Sequence, residues 1–188
     1  MAKLFVITGP SGVGKSTIVK EALRQTGAAF SVSATTRRPR AGETDGREYR
    51  FVDRPTFRRM IDAGELLEWA EVFGELYGTP AGPVREALAA GRNVVLDIDV
   101  QGGSQVRRRE PAAVGVLIVP PSDEELARRL RGRGSETEAA AARRLAKAQN
   151  DIRAARASGA YDYTVVNDDL QRAVEEVVGI ICQESPNE

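Results

Sequence analysis

From Leu4 to Thr8 the chain is a short apolar run that stops at a glycine-rich turn, and from Lys15 to Gln25 the apolar residues Ile18, Val19, Ala22 and Leu23 recur at helical spacing. A strand, a loop and a helix are the expected result. Phe30 to Ala34 reads as a second strand, and the polar Arg/Pro/Gly-rich stretch from Thr35 to Arg47 reads as a long functional loop or surface ribbon. Tyr49 to Val52 is strand-like, Asp53 is placed to cap a helix to about Ala63, and Leu67 to Val72 is another strand. A helix from Pro83 to Ala90 leads to a buried strand from Asn93 to Val100 with acids toward its end, and Val114 to Val119 is the next strand. Ser122 to Glu125 and Ser135 to Glu138 each have the capping-box pattern and open helices to about Arg131 and Ser158. Tyr163 to Asn167 is a last strand before an amphipathic helix from about Asp169 to Gln183. Short apolar runs alternating with helices predict an α/β fold, a parallel sheet covered on both faces. The helix-poor region from about 33 to 82 interrupts the alternation as an inserted small lobe.

The length of 188 residues fits one domain. The composition excludes more than it suggests. There is no histidine, which rules out a Ser-His-Asp triad, a Cys-His pair and a His-ligated metal. A lone cysteine, Cys182, makes no intramolecular disulfide, and the N-terminal residues contain no run long enough for a signal-peptide core or a membrane span. A cytoplasmic protein without a membrane partner is expected. The 27 basic and 27 acidic residues balance, yet 23 of the basic ones are Arg and they cluster. Residues 37–59 hold eight Arg against four acids, and residues 128–144 hold six against two. Arg binds phosphate through a planar fork, so two such segments point to two places where phosphates are held. Nucleic acid is not the expected partner, since aromatics are only 5% and the whole chain is neutral.

The strongest local signal is Gly9-Pro-Ser-Gly-Val-Gly-Lys-Ser16, which matches the phosphate-loop pattern G-x-x-x-x-G-K-[ST] and lies between the first strand and the first helix, where that mechanism requires it. The loop and the helix start offer backbone N–H groups to a phosphate. Lys15 is placed to reach the β- and γ-phosphates and the Ser16 hydroxyl to hold Mg²⁺. Val94 to Asp97 has the form of the acid-ended strand such a site needs, and Asp99, two residues on, falls on the same side of an extended chain. There is no guanine-reading N-K-x-D segment of the GTPase kind. A phosphotransferase acting on a small phosphorylated acceptor fits, because a phosphate dianion is its own nucleophile and needs no general base.

Ser31-Val-Ser-Ala-Thr-Thr-Arg-Arg-Pro-Arg-Ala-Gly-Glu-Thr-Asp-Gly-Arg-Glu-Tyr-Arg-Phe51, Leu67-Glu-Trp-Ala-Glu71, Tyr77-Gly-Thr-Pro80, Leu96-Asp-Ile-Asp-Val-Gln-Gly102, Arg129-Leu-Arg-Gly-Arg-Gly-Ser-Glu136, Arg143-Arg-Leu145 and Val166-Asn-Asp-Asp-Leu170 together resemble guanylate kinase over nearly the whole chain. The resemblance implies a P-loop NTPase-type core over 1–32, 83–125 and 145–188, a mixed β/α GMP-binding lobe over 33–82 and a helical lid over 126–144. It implies transfer of the γ-phosphoryl group of ATP to GMP, and to dGMP, with Mg²⁺ held by Ser16 and, through water, by Asp97. ATP would lie on Gly9, Pro10, Ser11, Gly12, Val13, Gly14, Lys15, Ser16 and Thr17, with Arg129, Arg133, Asn167 and Asp168 around it. GMP would lie among Ser33, Arg37, Arg40, Glu43, Tyr49, Glu68, Tyr77, Gly78, Thr79, Asp97 and Asp99. Arg40, Arg133 and Arg144 join Lys15 as the residues acting on the transferring phosphates.

The residue types agree with that picture. A carboxylate such as Glu68 accepts from guanine N1–H and its 2-amino group, and hydroxyls such as Ser33 and Thr79 donate to O6. Adenine lacks the donor pair and leaves the carboxylate unpaired. A non-catalytic module that binds phosphorylated peptides, and a kinase for another phosphorylated acceptor, are the alternatives. Three positions beside the acceptor site, Leu66, Phe73 and Leu76, depart from the family pattern. Trp69 reads as a packing residue and Arg107, Arg108 and Arg109 as surface ones.

Overall fold

The computed structural model describes residues 1–72, 74–131 and 138–185. In chain order the elements are β1 (Leu4–Thr8), α1 (Lys15–Thr26), β2 (Ala29–Phe30), β3 (Ala34–Thr35), β4 (Arg50–Phe51), α2 (Arg54–Asp62), β5 (Leu66–Val72), β6 (Glu75–Pro80), α3 (Ala81–Ala89), β7 (Val94–Asp97), α4 (Val100–Arg109), β8 (Val114–Val119), α5 (Asp123–Arg131), α6 (Glu138–Ser158), β9 (Tyr163–Val166) and α7 (Leu170–Glu184).

Five strands form a parallel sheet in the order β2-β7-β1-β8-β9. Side chains alternate across its two faces, and both are apolar. Phe5, Ile7, Val116 and Ile118 pack against Ile18 and Val19 of α1 and Val174, Val177 and Ile181 of α7. Leu4, Val6 and Leu96 pack against Val84 and Ala87 of α3 and Val106 of α4, while Leu117 and Val119 meet Ile152 of α6. This two-sided burial is why the strands read as unbroken apolar runs.

The second sheet, β4-β3-β6-β5, is built from 34–80. A β5–β6 hairpin pairs Glu68 with Thr79, Trp69 with Gly78 and Ala70 with Tyr77, and β3 runs antiparallel to β6. Phe57 and Met60 of α2 cover one face together with Leu66 and Leu76. Two of the three departures from the family pattern are therefore core residues of this sheet; Phe73 lies outside the described residues.

The expected caps at Asp53 and Ser122 are present, Thr56 N and Glu125 N donating to their side chains at 2.7 and 3.2 Å, and Asp169 caps the last helix by accepting from Arg172 N at 2.9 Å. The proposed cap at Ser135 lies outside the described residues. Two expectations differ from the structure, and two elements were not predicted. Phe30 to Ala34 is not one strand, because Ala29–Phe30 pairs with β7 in the parallel sheet while Ala34–Thr35 pairs with β4 and β6 in the other. The strand expected to run to Val100 ends at Asp97. Asp99 then caps α4, its carboxylate accepting from Gly102 N at 2.7 Å. The adjacent Gly102 and Gly103 and the Arg107–Arg109 run hide that helix from a periodicity reading, and Gly78 and Pro80 hide strand β6 in the same way.

Candidate active site

The loop after β1 and the start of α1 owe their shape to glycine. Gly12 and Gly14 have φ of 87° and 92°, and a Cβ on Gly14 would stand 2.5 Å from Asn167 Nδ2. Gly14 caps α1 with no side-chain hydrogen bond, and no acid occupies the first turn, so no side chain competes with an anion for the N–H groups at the helix start. Lys15 Nζ forms an ion pair with Asp97 Oδ1 and donates to Ile98 O at 3.0 Å. Ser16 Oγ donates to Asp97 Oδ2 at 3.2 Å. The acid reaches the loop because β7 pairs in parallel with β1, in a register that sets Asp97 opposite Ile7.

The hollow over this loop, about 310 Å³, opens onto a larger cleft of about 440 Å³, and Gly9, Ser11, Lys15, Ser16 and Asp99 line both. The cleft brings Lys15 and Asp97 together with Glu68, Tyr77 and Gly78 of the second sheet, with Ser33, Arg40 and Tyr49 from the segments beside its strands β3 and β4, and with Arg144 from α6. Asp97 and Asp99 both line it, although Asp99 does so as a helix cap rather than as a strand residue. Several predicted residues lie one layer back. Arg37 stacks over the Tyr49 ring at 5.4 Å and donates to Glu43 Oε1 at 2.8 Å, and Glu43 Oε2 accepts from Arg40 N at 2.7 Å. The Arg37 guanidinium holds the Glu43 carboxyl below its ordinary range. Tyr49 and Tyr77 meet edge to face at 5.9 Å, and burial pushes the Tyr49 hydroxyl up.

Glu68 is 4% exposed. Thr79 Oγ1 donates to its Oε1 at 2.7 Å, so that hydroxyl is engaged with the carboxylate rather than turned to the cleft. Burial raises the Glu68 carboxyl to about 7; the Thr79 hydrogen bond opposes the shift and the Asp99 charge adds to it.

Behind the phosphate loop, Asn167 Nδ2 donates to Val13 O at 2.6 Å, and Arg129 donates to Asn167 O at 2.9 Å and to Val13 O at 3.4 Å. Two residues expected around ATP thus brace the loop that would hold it. Asp168 pairs with Arg172. Removing the brace by Asn167→Ala should cost about 1–3 kcal/mol, the penalty of losing a buried hydrogen bond. It should also raise the KM for the loop's ligand while leaving that of the other substrate unchanged, which thermal melts and steady-state kinetics will check.

A profile of the guanylate kinase family matches residues 1–184. The chain belongs to the guanylate kinase family. Among similar proteins, the guanylate kinase of Symbiobacterium thermophilum is 53% identical over 182 residues, spanning 96% of this chain and 85% of that protein. That of Synechocystis sp. is 50% identical over 183 residues, spanning 97% and 94%. A crystal structure of guanylate kinase from Anaplasma phagocytophilum matches with a TM-score of 0.80 at 34% identity, covering 99% of this chain and 87% of that one. Guanylate kinases are kinases that use ATP with Mg²⁺ to phosphorylate GMP to GDP.

The donor set suits Mg²⁺. A serine hydroxyl and a carboxylate oxygen stand 3.2 Å apart at the loop, and among the described residues no group of three or more Asp, Glu or Cys forms an all-protein cage. Mg²⁺ is normally held in this way, by one or two protein oxygens plus phosphate oxygens and water. No described helix is long and apolar enough to cross a membrane.

Sequence reasoning missed cleft residues Lys147 and Asp151, which pair at 2.8 Å. The signal was available, since they stand three and seven residues after Arg144 on one face of α6. Arg109 is exposed as expected, but its Nη1 donates to Leu66 O and Leu67 O at 2.7 and 2.9 Å, contacts that the sequence did not reveal; Trp69, taken for packing, is 36% exposed. Arg133 lies outside the described residues.

Proposed function

We propose that the chain transfers the γ-phosphoryl group of ATP to GMP, and also to dGMP, with 1–32, 83–125 and 145–188 as the ATP-bearing core, 33–82 as the GMP lobe and 126–144 as the lid. The observation that carries the reading is the buried carboxylate of Glu68 in a cleft shared with Lys15 of the phosphate loop. Glu68 accepts the two guanine donors, Ser33 donates to O6, and Thr79 orients the carboxylate from behind. Arg40, Tyr49 and Tyr77 hold the acceptor phosphate, with Arg37 and Glu43 setting their positions. An oxygen of that phosphate attacks the γ-phosphorus, the bond to the β-bridging oxygen breaks, and ADP leaves. Lys15, Arg133 and Arg144 neutralise the charge in transit. Ser16 and, through water, Asp97 would hold Mg²⁺, which would supply further neutralisation of the phosphate charge. No side chain has to remove a proton, because the acceptor is already an anion. The chain needs only to position the two phosphates and exclude water. A single cysteine and the absence of any disulfide requirement suit the reducing cytoplasm.

An ADP-release assay with GMP, dGMP, AMP, CMP, UMP and a sugar phosphate as acceptors tests the reading. GMP and dGMP should exceed every other acceptor in kcat/KM by at least about tenfold; a smaller margin refutes it. In the same assay, Arg40→Ala should raise the KM for GMP by about tenfold or more and change kcat little, the pattern of a lost phosphate contact that is present in both ground and transition states.

A further inference from the structure

Strand β5, which carries Glu68, is the terminal strand of its sheet. Its free edge is met by helix α4. Gln105 Nε2 donates to Trp69 O at 2.8 Å and Trp69 N donates to Gln105 Oε1 at 3.4 Å, the two-bond pattern of a strand partner supplied by one side chain. One turn further along α4, Arg109 Nη1 donates to Leu66 O and Leu67 O. The two grips fall on either side of Glu68. One turn before Gln105, α4 presents Gly102, where an added Cβ would stand 2.6 Å from Glu68 Oε2 and 3.1 Å from its Cδ. The same helix begins at Asp99, which lines the cleft over the phosphate loop.

We propose that Gln105 and Arg109 are positioning residues for base selection: α4 clamps β5 on both sides of Glu68 and thereby holds the guanine-reading carboxylate at a set distance from the phosphate-transfer centre. The inference rests on the GMP reading above. A carboxylate that accepts two parallel N–H bonds tolerates little displacement, and a buried one has no water to make up a missed contact. The hairpin alone leaves β5 bonded on one side only. The clamp supplies the other side from the element whose cap, Asp99, lines the hollow over the phosphate loop, so the acceptor base and that loop are measured from one helix. Arg109 contributes further by placing its positive charge near Glu68, which favours the ionised carboxyl.

The test uses the full chain, with steady-state ADP release measured for GMP and AMP and with ATP varied separately. Arg109→Met and Gln105→Leu should each raise the KM for GMP by about tenfold and lower the GMP-to-AMP preference by a similar factor, with kcat within about threefold and the KM for ATP unchanged. Arg109→Lys should restore much of the loss. Gly102→Ala keeps both grips and gains helix propensity, yet presses on the carboxylate. It should raise the KM for GMP by direct contact with Glu68 and so calibrates the effect of displacing the carboxylate, whereas Gln105→Asn, which shortens the grip but keeps its amide, tests the clamp if the other variants fail to fold and should raise the KM for GMP by about threefold or more. Unchanged KM for GMP in folded variants, or equal rises in the KM for ATP and GMP, overturns the clamp alone. A wild-type chain that does not turn over GMP overturns the functional reading and the clamp with it.

Discussion

Lys15→Met is expected to lower kcat by about 10²–10³, the scale seen when one preorganised donor to developing charge is removed. The geometry explains why the loss is this large and why it falls on kcat. Lys15 Nζ sits among oxygens, with the Asp97 carboxylate and the Ile98 carbonyl as its partners, so its charge is available to the phosphates at a fixed point and costs no reorganisation during transfer. The side chains of Lys15 and Asp97 are both about 15% exposed, which weakens the screening of their charges. Methionine keeps the length and the apolar stem and removes only the ammonium. It also leaves Asp97 without its counter-charge, so the carboxylate then repels the triphosphate, and the KM for ATP should rise as well. The KM for GMP should stay within about threefold, since Lys15 reaches the donor and not the acceptor base. Single-turnover and steady-state rates for ATP and GMP, beside a thermal melt of the variant, check all three parts. A kcat within tenfold of wild type would show that the loop amides alone carry the donor phosphates.

Glu68→Gln is expected to change two properties in opposite directions. The variant loses the acceptor for one of guanine's two donors, so kcat/KM for GMP should fall by about 10²-fold or more while that for AMP changes little, because a site built around a polar partner rejects its absence strongly. Stability should move the other way. The carboxyl titrates at about 7 in the fold against 4.5 for the ordinary group, so the folded chain holds this proton more tightly than the unfolded one. The stabilising contribution is therefore complete below about pH 4.5 and is lost as pH rises through 7, leaving at pH 8 a buried charge that costs on the order of 3 kcal/mol. Glutamine carries no such charge and its carbonyl still accepts from Thr79. At pH 8 the variant should melt several degrees above wild type, and the difference should shrink toward pH 5. In the wild type, kcat/KM for GMP should rise between about pH 6 and 8 as Glu68 ionises. The acceptor's own phosphate titrates near 6, so the Glu68 part is the portion of the rise that Glu68→Gln removes. A site that spends stability on a buried charge is the usual mark of function overriding packing.

Particular residues show how much of this was legible beforehand. The phosphate loop was readable to the residue because its chemistry is local: Gly12 and Gly14 for the backbone, Lys15 and Ser16 for the ligand, all within one turn. The caps at Asp53 and Ser122 were readable for the same reason, each bonding to an N–H three residues on. The apolar runs of β1, β7 and β8 announced a sheet covered on both faces. Read alone, Glu68 would have passed for a solvated acid beside Trp69, and only the surrounding motifs reversed that reading. Its burial follows from its contacts with Thr79 of β6 and Gly102 of α4, residues 11 and 34 positions away.

What the sequence determined by itself is therefore what neighbours in the chain determine: strands and helices by period, helix starts by caps, a phosphate-binding turn by glycine and lysine, and two arginine-dense segments by count. The tertiary structure decided the rest. It brought Asp97 to Lys15 through the register of β7 on β1, placed Asn167 and Arg129 behind the phosphate loop, turned Thr79 toward Glu68, and set α4 against the edge of β5. The physical reason is range. Backbone conformation and capping depend on residues within one or two turns, whereas the ionisation, burial and orientation of a polar side chain depend on whatever distant segments the fold packs around it.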